Sequence, residues 1–220
     1  FFSAFNPDAI KNTRFYKGSF PAEYGGRLSS VVDVRMNDGN RQEYHGNISV
    51  GLLSARANLE GPIVKDRSSF NVSVRRTWLD LITGTALAII NKNSDTKESF
   101  GYHFFDINAK VNHSFSERSR AYLSFYMGQD AFRQGSKEKH EDSDDMFLWR
   151  WGNLIGSAGW NYVFGQKLFG NLMVGYSRFR SHIRQEAKGY EIEGNRAERQ
   201  SIKRDSRYKS EMEDLSVRLS

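Results

Sequence analysis

The 220-residue chain has a net charge of +6 and a mean hydropathy of −0.65, too polar on average for a bundle of membrane-spanning helices. It contains no cysteine, which excludes a disulfide framework, thiol catalysis and thiolate metal sites. The positive charge is not organised for nucleic acid. In its densest stretch, 195–209, Arg196, Arg199, Lys203, Arg204, Arg207 and Lys209 are interspersed with Glu198 and Asp205, as in a solvated loop, and no recognition-helix pattern accompanies them.

The chain opens at Phe1 without a methionine or signal peptide and closes at Ser220 inside an alternating run, so both ends are expected to be truncations. Residues 1–40 differ from the rest. Asn6-Pro7-Asp8 reads as a helix N-cap followed by proline at the first helical position, opening one short turn. Thr13–Tyr16 reads as a short strand. Phe20 to Arg27 is predicted to be a loop, because the paired Gly25 and Gly26 permit positive φ. Leu28–Met36 then alternates, with Leu28, Val32 and Val34 set against Ser29, Asp33 and Arg35. Asn37-Asp38-Gly39-Asn40 closes the segment with turn chemistry. A small α+β unit of this kind cannot bury a core of its own.

From Tyr44 onward, glycine, asparagine, serine and aromatic residues mix with period-two alternation, the pattern of strands with two unlike faces. Phe70, Val72 and Val74 oppose Asn71, Ser73 and Arg75. Phe105, Ile107, Ala109, Val111 and Phe115 oppose Asp106, Asn108, Lys110, Asn112 and Ser114, with His113 the one polar residue on the apolar side. The pattern recurs at Ala121–Met127, Leu154–Phe164, Leu172–Tyr176 and Leu215–Leu219. Soluble β-sandwiches alternate too, but three features favour a membrane barrel. Gly101–Phe115, Phe147–Phe164 and Lys167–His182 exceed the roughly 9–11 residues that cross a bilayer. Phe105 and Phe115 bracket an apolar run of roughly 25 Å once tilted, the height of a lipid-facing band. Short connections at Val64–Arg67, Ser116–Ser119 and Gly165–Gln166 alternate with expected long loops at Leu79–Ser99, Asp130–Asp145 and Ile183–Tyr208. Parity then requires two strands within Tyr44–Ile63, joined near Leu53-Ser54, and gives seven strands and the start of an eighth. The predicted fold class is all-β: part of an antiparallel transmembrane barrel over residues 44–220, preceded by the end of a small α+β domain over residues 1–40.

The run Phe20-Pro21-Ala22-Glu23-Tyr24-Gly25-Gly26-Arg27-Leu28-Ser29-Ser30-Val31-Val32-Asp33-Val34 resembles the end of the plug in TonB-dependent outer-membrane receptors. Leu59-Glu60-Gly61-Pro62-Ile63 is similar to the turn that ends an early barrel strand in that family, and Ser69–Asp80 resembles the strand that follows. The resemblance covers roughly residues 2–80. It implies a plugged barrel of about 22 strands in the cell outer membrane. It also implies contact with outer-membrane lipid, a small-molecule or oligomeric nutrient as ligand (iron chelates, vitamins or oligosaccharides), and energy from the TonB complex through parts that this chain lacks. Pro21, Glu23, Tyr24, Gly25, Gly26 and Arg27 form the plug motif. A plug needs polar contact with a polar wall, so Glu23 and Arg27 are expected to face Arg56, Asn58, Glu60 and Arg75 on the lumen side. The runner-up readings are a passive outer-membrane channel and a secreted β-sandwich binding module.

Other chemical signals are sparse. His45, His103, His113, His140 and His182 are scattered without metal-site spacing. His140 with Glu141, Asp142, Asp144 and Asp145 reads as a solvated acidic loop rather than a cation site. Leu81–Ile90 reads as a short helix after Trp78, capping the barrel mouth or packing as an ordinary loop. No nucleophile has a recognisable base and no glycine loop suits phosphate, so no enzyme activity and no cofactor are expected.

Overall fold

The computed structural model describes residues 6–18, 20, 21, 24, 30–139, 143–192 and 199–220, with the backbone alone described at 190–192 and 199–201. Strands hold 73% of the described residues, against about 20–25% in ordinary globular proteins, and one α-helix accompanies them there, so the fold is all-β and antiparallel.

The N-terminal unit begins with one turn of 3-10 helix at Pro7–Ala9. The side chain of Asn6 accepts the Asp8 amide at 3.2 Å, and Pro7 occupies a position whose missing N–H costs nothing. Strand β1 (Ile10–Tyr16) pairs antiparallel with β2 (Val31–Met36), each longer or shorter by a few residues than the sequence suggests. The unit's own apolar burial is slight: Ala9 is its one buried hydrophobic side chain among the described residues.

An eight-stranded meander follows: β3 (His45–Val50), β4 (Ser54–Val64), β5 (Ser68–Thr77), β6 (Thr96–Ser116), β7 (Ser119–Glu138), β8 (Asp144–Val163), β9 (Phe169–Ile192) and β10 (Arg199–Leu219). Every strand pairs with its chain neighbours, and each connection is that of a hairpin. The short connections lie together at one end, as parity demands. At Val64–Ser68 the turn places Asp66 at φ 65°, a left-handed conformation that aspartate tolerates better than most residues. The sheet is open: among the described residues β3 and β10 are each paired on one side only, and no closed barrel is found.

The other end differs from expectation. Two of the three predicted long loops are mostly strand: β7 runs to Glu138 and β8 starts at Asp144, while β9 runs to Ile192 and β10 starts at Arg199. Apolar alternation fades there, and the sequence therefore reads as loop. A hairpin ladder needs only backbone donors and acceptors, and cross-strand charge pairs such as Arg180 with Glu211 replace the apolar contacts. The third loop contains α1 (Leu79–Ile90). This helix lies against β6, with Thr83 Oγ1 donating to the Phe100 carbonyl at 3.0 Å and Asp80 reaching Arg76 and His103 at 3.8 and 3.7 Å.

Burial is inverted relative to a water-soluble sheet. Pairing register puts Arg56, Arg75 and Asp106 on one face with Asn58, Ser73, Asn108, Glu60, Asn71 and Lys110. Asn71, Ser69 and Ser73 there are 0% exposed. The opposite face carries Ile48, Leu59, Val72, Val111, Leu123, Trp160, Val174 and Leu215, and Leu123 is 62% exposed. At the short-turn end this apolar face finishes in aromatics, with Tyr162 and Phe164 4.7 Å apart and Trp160 5.7 Å from Tyr162.

Candidate functional site

The polar face is buried because the N-terminal unit sits on it. Asp8 pairs with Arg56 of β4 at 3.1 Å, and Asn37 donates to Glu60 at 3.1 Å, sharing that carboxylate with Asn71. Asp38 is the hub. Its carbonyl accepts from Ser69 at 2.7 Å and from Asn112 at 2.8 Å, and its carboxylate pairs with Lys110 at 2.7 Å and Lys11 at 3.0 Å. At the other edge of the sheet, on the same face, Tyr24 lies under the Arg218 guanidinium of β10, at 4.8 Å, and its ring is tilted against that of Tyr16. Contacts from β4 to β10 with one small unit mean that the sheet curls around it, so the polar face is concave and the apolar face convex.

The geometry comes from local chemistry. Asn37 and Asn40 fold the connecting turn by accepting backbone amides of Gly39, Gln42 and Glu43. Gly39 sits at φ 78°, and a Cβ there would run into the Phe70 carbonyl oxygen, which is backbone and cannot step aside. Gly39→Ala is therefore expected to weaken the seating of residues 31–43 by about 1–3 kcal/mol, read as faster amide exchange over that segment with exchange in β7–β9 unchanged.

Of the expected wall residues, Arg56 and Glu60 meet the N-terminal unit. Arg75 turns instead to Asp106 of β6, at 2.6 Å, with side chains 9% and 3% exposed, and lies over the Phe104 ring at 4.7 Å. Asn58 is on the same face between Asn47 and Ser73, and its Oδ1 is buried without a hydrogen-bond partner. Pro21 accepts the Tyr24 amide at 2.9 Å. Glu23, Gly25, Gly26 and Arg27 lie outside the described residues, as do His140, Glu141 and Asp142 of the acidic loop. Asp8, Asn37, Asp38, Lys110 and Asn112 were missed as contact residues. The alternation marked Lys110 and Asn112 as polar-face, but a turn motif gives no sign of what it will rest on.

Electrostatics tighten the seam. Burial pushes the Asp38 carboxyl up, but hydrogen bonds and charge from Lys110 and Lys11 outweigh it and hold the group below its ordinary range. A depressed carboxylate contributes stability that is present above its unfolded value, about 3.9, and lost as pH falls through the lower folded value. Seating is thus expected to persist at pH 5 and weaken below about 4. Proteolytic release of the N-terminal unit across that range measures this, and Asp38→Asn is expected to flatten the dependence.

Beyond the docked unit, toward the long-strand end, the concave face changes to aromatic. Register aligns Tyr102, Phe132 and Trp149 in one row and Phe100, Gln134 and Phe147 in the next. Phe100 and Phe132 meet edge-to-face at 5.5 Å, Phe132 and Phe147 at 5.9 Å, and Tyr102 stacks on Trp151 at 6.4 Å. The Tyr102 hydroxyl donates to Asp130 at 2.6 Å. A cavity of about 510 Å³ opens beside this wall, with Gln134, Phe147, Gln185, Arg204 and Ser206 in its lining. Ring faces with hydrogen-bonding groups at their margin suit a ligand that combines an apolar face with polar edges. Among the described residues no cluster of three or more histidines and carboxylates is placed to hold a metal.

No protein-family model, curated protein or solved structure matches this chain.

Proposed function

We propose that the chain is a portion of a plugged outer-membrane β-barrel receptor of the TonB-dependent kind, which imports a nutrient with energy coupled from the inner membrane. Residues 1–40 act as the end of the plug and residues 44–220 as the opening strands of the barrel.

The observation that carries this reading is the inversion of burial. A soluble sheet turns its apolar side chains inward, because each large one left in water forfeits about 1.5–3 kcal/mol. Here the apolar face is convex and bare from β3 to β10, while asparagines and serines are enclosed. Lipid removes the penalty on the outside. A hydrated lumen with a polar plug removes the need for apolar residues inside. A β-sandwich would cover the apolar face with a second sheet, and among the described residues none does.

A passive channel needs an open lumen. The docked N-terminal unit occupies the concave face, which favours a gated receptor over a pore. Its seam with the sheet is made of ion pairs and hydrogen bonds rather than interlocked apolar side chains, a kind of contact that holds a plug yet can be remade when it is pulled. The aromatic wall lies on the outer side of the plug in this orientation, where an incoming ligand would rest.

The test is to express the complete coding sequence and fractionate the cells. Recovery in the outer membrane with an unheated band that runs faster on gels than the heated one supports the barrel. A soluble product with unchanged mobility overturns it, and the import reading with it.

A further inference from the structure

The convex face changes character just beyond the apolar band, on the long-strand side. From Gln129 of β7, Gly152 of β8, Arg178 of β9 and Glu213 of β10 outward, register assigns ten lysines and arginines and five carboxylates to this face among the described side chains. Among the described side chains, the concave face of the same segments carries one cation, Arg204, and three carboxylates, Asp130, Glu138 and Asp145. Chance placement on a sheet would divide the cations evenly.

The excess is focused at a cavity of about 350 Å³ at the boundary, whose lining includes Met127 and Leu154 on the apolar side and Arg150, Arg178, Arg180 and His182 on the other. Glu211 lies 3.9 Å from Arg178 and 2.5 Å from Arg180, so one carboxylate serves two guanidiniums. Arg150 has no carboxylate partner among the described residues. The Nε2 of His182 is buried and without a hydrogen-bond partner. A pocket with an apolar floor continuous with the lipid-facing band and a cationic wall above it has the layout of an amphiphile at a bilayer surface. An unpaired guanidinium seeks an anion there, and the orphaned imidazole nitrogen can donate to one in the tautomer that carries hydrogen at Nε2.

We propose that this pocket binds the phosphorylated headgroup of a lipid in the surrounding leaflet, held by Arg150, Arg178, Arg180 and His182 while its chains lie along Met127 and Leu154. The site rests on the membrane reading of the convex face. It faces away from the lumen, so its occupant is a structural lipid and not the imported ligand.

The experiment uses the complete protein reconstituted in lipid nanodiscs of a zwitterionic phosphatidylcholine, with or without one fifth of a lipid bearing a phosphate monoester headgroup, followed by native mass spectrometry of the lipids retained on release. The expected result is at least tenfold enrichment of the phosphorylated lipid, reduced threefold or more by Arg150→Gln, which breaks no ion pair. Arg150→Lys is expected to keep most of it. Millimolar inorganic phosphate should compete only weakly, since it lacks the chains. Full competition by inorganic phosphate would overturn the assignment to a lipid. Inserted protein without enrichment would overturn the site while leaving the barrel intact. Protein that fails to insert in either nanodisc would overturn the membrane reading and this site together.

Discussion

With the convex face in lipid, as proposed, Leu123→Arg is expected to destabilise the inserted protein by about 2–4 kcal/mol, the cost of a cation facing lipid near the bilayer midplane. Leu123 is 62% exposed and lies in the middle of the convex apolar band, between Val111 of β6 and Ala158 of β8. In a water-soluble protein an exposed leucine replaced by arginine changes stability by no more than about 0.5 kcal/mol in either direction. The two environments thus predict effects that differ severalfold. Urea-driven unfolding from lipid vesicles, compared between the variant and the parent, measures the difference.

Arg75→Ala is expected to cost more, about 3–5 kcal/mol, because it strands a buried carboxylate. Asp106 keeps only the Asn108 amide, at 3.2 Å, once the guanidinium at 2.6 Å is gone. The Phe104 ring loses its cation as well. Removing both charges together, as Arg75→Met with Asp106→Leu, is expected to be far milder, since neither partner is left alone. A double-mutant cycle by the same unfolding measurement reads the coupling. Equal losses in the single and double variants would show that the pair is not what holds β5 to β6 at this level.

Much of the sheet is legible in the residues, for a physical reason. Period-two alternation is a local property, and Phe105–Phe115 or Ala121–Met127 declare two faces without reference to anything distant. Strand parity then follows from the short turns, and it correctly places a hairpin within Tyr44–Ile63, where the alternation itself is weak. Lengths are less legible. Beyond Asp130 and Ile183 charged and polar residues interrupt the alternation, so the signal fades while the backbone ladder continues for eight residues or more on each strand.

Long-range partnerships were the hardest part. Parity puts Arg56 and Glu60 on the polar face, but the residues they meet, Asp8 and Asn37, are not the expected Glu23 and Arg27, which lie outside the described residues. Arg75 has the same parity, yet its partner is Asp106, thirty-one positions away and one strand over. Nothing in its neighbours distinguishes a polar-face arginine that meets the N-terminal unit from one that pairs within the sheet. Asp38 was hidden for the opposite reason. Asn37-Asp38-Gly39-Asn40 is so strong a turn signal that its docking role is masked, although the glycine is required by the Phe70 backbone as much as by the turn.

The central claim is that the convex face of this sheet meets lipid and the concave face does not. With no native cysteine to remove, single cysteines at positions 121 to 127 of β7 can each carry a nitroxide in the reconstituted complete protein. Collisional relaxation by oxygen, which partitions into the bilayer, is the measurement. High oxygen accessibility is expected at 121, 123, 125 and 127 and low accessibility at 122, 124 and 126. Labels at the odd positions relaxed by a water-soluble paramagnet and not by oxygen would contradict it.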